Sequence, residues 1–186
     1  MTRALIPLGI VLLLTGCTVV QSLHPVATEA TAIYDRSLEG VWAEDGRDDL
    51  YILSADSDEA PKGYQLRVVD TKPSRLADGA VKAFHVTLRK IGDRLWADAT
   101  VAEEHSDLYV TTHYFVRVEK RQTALALRML LWSKIPAGDR PASVDLPDDK
   151  GILLTAETPR LLTFLERFGA KDEAFDDEMM LNPVKR

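Results

Sequence analysis

Apolar and polar residues alternate in short segments through most of residues 38–132. In the segment FHVTL at 84–88, for example, every second residue is apolar. Turn residues separate the segments, as in the Gly92-Asp93 pair and in the run DSDEAPKG at 56–63. A period of two, interrupted by Gly and Asp, is typical of an antiparallel β-meander. The clearest strands are predicted at 50–53, 64–68, 84–88, 95–99, 108–118 and 125–131.

About seven or eight strands within roughly 100 residues favour a closed barrel or a sandwich, because closure removes unpaired strand edges. Residues 134–150 contain three prolines and predict a long irregular loop, interpreted as a lid over one barrel end. A helix is then predicted from an N-cap at Thr158 to a C-cap at Gly169. The barrel-like domain is therefore expected to span 38–170, followed by a charged tail at 171–186.

The first residues, MTRALIPLGIVLLLTGC, combine a positive start at Arg3 with an apolar run at Leu5–Leu14. This run is shorter than the roughly 20 residues that a membrane-spanning helix needs. The pattern therefore predicts an export signal rather than a transmembrane helix.

The signal ends in Leu14-Thr15-Gly16-Cys17, and this tetrapeptide resembles the lipobox of bacterial lipoproteins at all four positions. The resemblance implies a signal peptide at 1–16, cleavage between Gly16 and Cys17, and lipidation of the Cys17 thiol. The acyl chains would anchor the mature protein stably to a membrane. Because Thr18 rather than Asp follows the cysteine, the resemblance implies sorting to the outer membrane, facing the periplasm. Residues 17–37 are predicted to be the tether between the lipid and the domain.

Gly40-Val41-Trp42, near the start of the first predicted barrel strand, resembles the Gly-x-Trp motif of lipocalins. The resemblance implies a mainly β fold, an antiparallel meander closing into a lipocalin-like barrel, with a C-terminal helix packed on it. It also implies that Gly40 lets the strand bend and that Trp42 closes one barrel end against a basic residue, for which Arg128 is the candidate. The chain is also similar to a group of bacterial proteins of unassigned activity that share Gly-x-Trp, a Gly-Asp hairpin and a closing helix.

Composition excludes several other classes of protein. The formal net charge of -6 argues against a nucleic-acid binder, which would carry a basic surface. The single cysteine excludes an internal disulfide framework and a cysteine-cluster metal site. The chain has no Gly-x-Ser-x-Gly elbow, phosphate-binding glycine loop or dinucleotide fingerprint, so an enzyme is the least favoured class.

Two groups of polar residues are the candidates for chemistry. The run Glu103–Asp107 contains carboxylates and His105, and could bind a divalent cation, but its position between two strands favours a solvated loop. We therefore predict no metal and no other cofactor. His85, Arg89 and His113 line a ligand pocket if their faces point into the barrel, and are surface residues if they point outward; strand alternation does not choose.

Together these features predict a lipid-anchored protein of the bacterial cell envelope. The favoured hypothesis is a non-catalytic binding module for a small apolar or amphipathic ligand. The alternative is a structural or assembly partner of other envelope proteins. No nucleic-acid partner is expected.

Overall fold

The computed structural model describes residues 20–71, 81–102, 110–147 and 151–184. Most of these residues lie in β-strands, numbered here in chain order. The strands are β1 (Val20–Ser22), β2 (Gly40–Glu44), β3 (Asp49–Ala55), β4 (Tyr64–Asp70), β5 (Val81–Ile91), β6 (Arg94–Val101), β7 (His113–Arg121), β8 (Ala124–Met129), β9 (Ser143–Asp145), β10 (Ile152–Leu154) and β11 (Met179–Pro183).

Eight of the strands in the described ranges form a closed antiparallel barrel. Strands β2 to β8 follow one another as a meander, and β11 lies between β8 and β2. The pairing of β6 with β7 completes the circle. At the β5–β6 hairpin, Gly92 has a φ of 59°, a left-handed conformation that glycine adopts without strain. The prediction of a mainly β, closed antiparallel barrel is therefore confirmed.

The C-terminal segment is a barrel strand, and the prediction of a charged tail at 171–186 is wrong for the described residues. In β11, Leu181 pairs with Leu125 of β8 and with Glu44 of β2, and its side chain is buried. The strand is only five residues long, its apolar residues Met179, Met180 and Leu181 are consecutive, and it follows an acidic run, so it shows no alternation to recognise. Its neighbours β2 and β8 are distant in sequence, and only the closed barrel brings them together.

The segment expected to be a tether is packed against the barrel from Val20 onward. Strand β1 pairs with the beginning of β7 and, in parallel, with β10, while β9 pairs with β10. Val26 is completely buried, and Ile33 forms a β-bridge with Leu88. The prediction of a tether is therefore wrong for residues 20–37. Residues 17–19 lie outside the described residues.

One helix among the described residues, α1 (Thr158–Gly169), packs on the outside of the barrel wall. Its N-cap is Glu157 and not Thr158, whose hydroxyl donates a hydrogen bond to the carbonyl of Pro25 at 2.7 Å. Gly169 is the last helical residue, and Ala170 is the C-cap. The helix precedes β11, so it is not the final element that the lipocalin resemblance implied.

The described residues form two apolar cores, one on each side of the barrel wall. The inner core fills the barrel. The outer core lies between α1, β1, β10 and the outer face of β6 and β7, with Trp96 and Phe115 contributed by the wall. Trp132 and Ile135 are buried in this outer core, and Arg140 lies over the Trp132 ring at 4.9 Å. The loop predicted as a lid therefore begins by packing against the side of the barrel; its residues 148–150 lie outside the described residues.

Candidate ligand-binding cup

The inner face of the barrel encloses a cavity of about 120 Å³. We call this cavity and its walls the cup. The two-residue period of a strand places every second side chain on the inner face. The side chains that line the cavity in this way are apolar or aromatic. Its walls include Trp42, Tyr51, Leu66, Val86, Val116 and Leu127.

One end of the cup is closed by the chain segment that precedes β2. Leu38 enters the barrel end and is buried, and Trp42 donates a hydrogen bond from Nε1 to the Leu38 carbonyl at 3.0 Å. The Tyr34 ring stacks on Tyr64 with centroids 5.1 Å apart. The Tyr64 hydroxyl accepts a hydrogen bond from the Asp35 amide at 2.7 Å and lies 3.1 Å from the Asp35 carbonyl. Residues 34–38 thus form a plug, which we call the closed-end plug.

One side-chain pair joins the closed-end plug to the barrel, and a second links the plug to the residue that precedes β2. Lys120 of β7 donates a hydrogen bond to Asp35 Oδ2 at 2.8 Å, and Ser37 donates to Asp35 Oδ1 from its amide and its hydroxyl. The hydrogen bond from Lys120, followed by those from Ser37, lowers the pKa of Asp35 to about 2. The Tyr34 hydroxyl donates to the Glu39 carboxylate, and this bond, with partial burial, raises the pKa of Tyr34 to about 12.

Among the described residues, none closes the other end of the cup. The apolar and aromatic residues that line the middle of the wall are only half-buried; they include Tyr51, Leu53, Leu66, Ala99, Val116 and Leu127. Those near the plug, such as Leu88 and Leu125, are buried. Apolar side chains exposed inside a concave wall are the usual lining of a ligand site. The strand ends here adjoin residues 72–80 and 103–109. The run Glu103–Asp107, which was considered as a cation site and interpreted as a solvated loop, therefore lies outside the described residues.

Trp42 and Arg128 lie on opposite faces of the barrel wall, so they do not form the stacked pair that the lipocalin resemblance implied. Leu125 and Leu127 of β8 point into the cup, and the alternation places Arg128 outside. The Arg128 guanidinium lies 5.6 Å from the centre of the Phe175 ring and donates to the carbonyls of Asp172 and Asp176. Gly40 has a φ of 149° at the first position of β2, which suits glycine at a sharp entry into the strand.

His85, Arg89 and His113 also lie on the outer face, and none of them lines the cup. Val86 and Leu88 line it instead, which turns His85 and Arg89 outward. His85 is exposed, whereas Arg89 donates a hydrogen bond to the Val26 carbonyl at 2.7 Å. All three side chains therefore lie outside the cup. His85 is a surface residue, whereas Arg89 and His113 are partly buried on the outer face of the wall.

Asp98 on β6 is a structural centre that sequence reasoning missed. Its side chain is buried, and Oδ2 accepts hydrogen bonds from the amides of Val26 and Ala27 at 2.7 and 3.0 Å. His113 Nδ1 lies 2.7 Å from the other oxygen, Oδ1. The carboxylate thus attaches residues 26–27 to the barrel wall. In the sequence, the indication of this role is that Asp98 is the one charged residue in a run of apolar and small residues, LWADAT at 95–100.

Comparisons with known proteins gave no significant match to a family model, to a curated protein or to a solved structure. Among the described residues, His, Cys, Asp and Glu side chains form no group of three or more that is placed to hold a metal ion. In the same part of the chain, no helix has the length and apolar character needed to cross a membrane.

Proposed function

We propose that this chain is a lipid-anchored binding module of the bacterial cell envelope, whose cup takes the apolar part of a slender ligand. The observation that carries the proposal is the asymmetry of the cup. Its lower wall is buried beneath the closed-end plug, while the apolar residues of the upper wall are partly exposed to solvent. Exposed apolar surface inside a concavity becomes buried when a ligand enters, and this burial favours binding.

The barrel is proposed to be lipocalin-like. The meander of β2 to β8, the Gly-x-Trp start and the plug before the first barrel strand support this assignment. The position of α1 before β11 departs from the arrangement that the resemblance implied.

The volume of the cup limits the ligand. A cavity of roughly 150 Å³ in a protein core holds benzene, which has six carbon atoms, so about 120 Å³ accommodates about four or five. Typical drug-sized ligands occupy pockets of about 300 Å³ or more. The ligand proposed here is therefore the end of one alkyl chain rather than a fused-ring lipid. Each buried methylene contributes about 0.8 kcal/mol.

The proposed anchor places the cup close to a source of such chains. Only Thr18 and Val19 separate Cys17 from β1 in the sequence. Three residues extend over at most about 11 Å, so a lipid on Cys17 would hold the folded domain near the bilayer surface. The anchor is tested by incorporation of labelled fatty acid into the chain and into its Cys17→Ser variant. Equal membrane retention of the two forms contradicts it.

Binding is tested by titrating the full-length chain with 1-hexanol and recording methyl NMR spectra. We expect saturable shifts of the methyl signals of Leu66 and Leu127. Ala97→Leu adds three carbons to the wall of the cup and should abolish these shifts. Ala83→Leu, which adds the same atoms on the outer face of β5, should retain them. Absence of shifts in the unmodified chain, or their retention in Ala97→Leu, refutes the proposed binding site.

A further inference from the structure

The floor of the cup is supplied by the closed-end plug. Among the described residues that line the cavity, Leu38 alone lies outside the barrel strands. It is 3% exposed, and it is the last residue of a short 3-10 turn, Arg36–Leu38, just before β2. The other lining residues belong to the strands and form the wall. The depth of the cup at its closed end is therefore set by the side chain at position 38.

The backbone that carries Leu38 is held by hydrogen bonds that do not involve its side chain. The Leu38 amide donates to the Asp35 carbonyl at 3.0 Å, and the Leu38 carbonyl accepts from Trp42 Nε1 at the same distance. The Asp35 carboxylate in turn accepts hydrogen bonds from Ser37 and Lys120. A change of side chain at position 38 therefore alters the depth of the cup while the supporting backbone retains these bonds.

The wall residues near the plug determine the width of the cup rather than its length. Leu88 on β5 and Leu125 on β8 are buried there, and side chains of a strand stand roughly perpendicular to the sheet. They therefore contact the sides of a linear chain that enters along the barrel axis. Leu38 lies at the closed end of the barrel, so the tip of such a chain meets its side chain.

We propose that Leu38 determines the longest alkyl chain that the cup accepts, because the terminal methyl group of the ligand stops against it. This inference rests on the proposed function, since it names the residue that selects among ligands for the same site. Leu38→Ala removes three carbon atoms from the floor. At about 25 Å³ per carbon, the value that benzene in its cavity implies, the cup would gain about 75 Å³ and accept about three more carbons.

The test measures the dissociation constants of linear alkanols, from 1-butanol to 1-octanol, on the full-length chain by methyl NMR of the cup residues. In the unmodified chain, binding should tighten about fourfold per carbon up to about five carbons and then level off, since further methylenes lie beyond the enclosed volume. In Leu38→Ala, this limit should move to about eight carbons, and 1-octanol should bind more than about tenfold more tightly than to the unmodified chain. Leu162→Ala removes the same atoms from α1, beside the outer core, and should keep the original limit.

The outcomes separate the inference from the proposed function. An unchanged limit in Leu38→Ala, or an equal change in Leu162→Ala, overturns the role of Leu38 and leaves the cup intact as a binding site. Affinity that rises evenly through 1-octanol in the unmodified chain also overturns that role. Failure of every alkanol to bind the unmodified chain refutes the binding site itself. If the circular dichroism spectrum of Leu38→Ala shows loss of fold, Leu38→Val replaces it; this variant removes one carbon and should move the limit by about one carbon.

Discussion

Gly169, the last residue of α1, lies so close to the indole of Trp96 that a Cβ at this position would be 2.9 Å from Cζ2 of the ring. Both residues are buried, and Trp96 is on the outer face of the barrel wall. The close approach of backbone and ring fixes the distance between helix and barrel. The glycine is needed at this position for its lack of a side chain, since its φ is not in the left-handed region.

Gly169→Ala is therefore expected to destabilise the fold by about 1–3 kcal/mol, since the added methyl group forces the helix or the indole to move. Thermal or urea unfolding measures the change. Gly138→Ala is the matched control, because a Cβ there has no neighbour within 4 Å. Similar stability of the two variants would show that the contact between α1 and Trp96 is not tight in solution.

Asp98→Ala is expected to release the segment around Val26 from the barrel. The substitution leaves two buried amides without an acceptor, at a cost of about 1–3 kcal/mol for each unsatisfied group. Hydrogen exchange at Val26 and Ala27 should accelerate well before global unfolding. Asp45→Ala, in the exposed turn after β2, should leave these two amides protected. Unchanged protection in Asp98→Ala would contradict the attachment.

The contact between Asp35 and Lys120 should make stability depend on pH in the acid range. The pKa of Asp35 falls from its ordinary value of 3.8 to about 2 on folding, so ionisation of this carboxyl favours the folded state. The stabilisation is present above pH 4 and is lost as the pH falls through about 2. Thermal unfolding from pH 5 to pH 2 measures the stability of the unmodified chain and of Asp35→Asn. The difference in stability between the two should therefore decrease as the pH is lowered. A constant difference would exclude this linkage.

Arg128→Gln should loosen residues 172–176 without affecting Trp42. The guanidinium donates hydrogen bonds to two carbonyls of that segment, while the Trp42 indole is hydrogen-bonded to Leu38 on the other side of the wall. In a ¹H–¹⁵N spectrum, the indole signal of Trp42, assigned with Trp42→Phe, should keep its position. The amides near Asp176 should shift and exchange faster. A large shift of the Trp42 indole would restore the pairing of Trp42 with Arg128.

Alternation of single residues was sufficient to predict the meander, whereas the choice of a barrel over a sandwich came from the resemblance of Gly40-Val41-Trp42 to the lipocalin motif. Strands β4 to β8 each contain several apolar positions at a period of two, and turns such as Gly92-Asp93 separate some of them. The helix at 158–169 was also predicted within a residue at its ends, because Thr158, Pro159 and Gly169 are local signals. Lipidation of Cys17 remains a prediction from residues 14–17.

The closed-end plug, β11 and the attachment of residues 20–27 were decided by tertiary structure alone. Each depends on partners far away in sequence: Tyr64 for Asp35, β2 and β8 for β11, and Asp98 for Val26. Alternation also defines two faces for every strand without stating which one is inside. The closed barrel determines which face is inside: the more apolar face of the sheet encloses the cup, and α1 covers part of the opposite face. Arg128 and His113 lie on that opposite face for this reason.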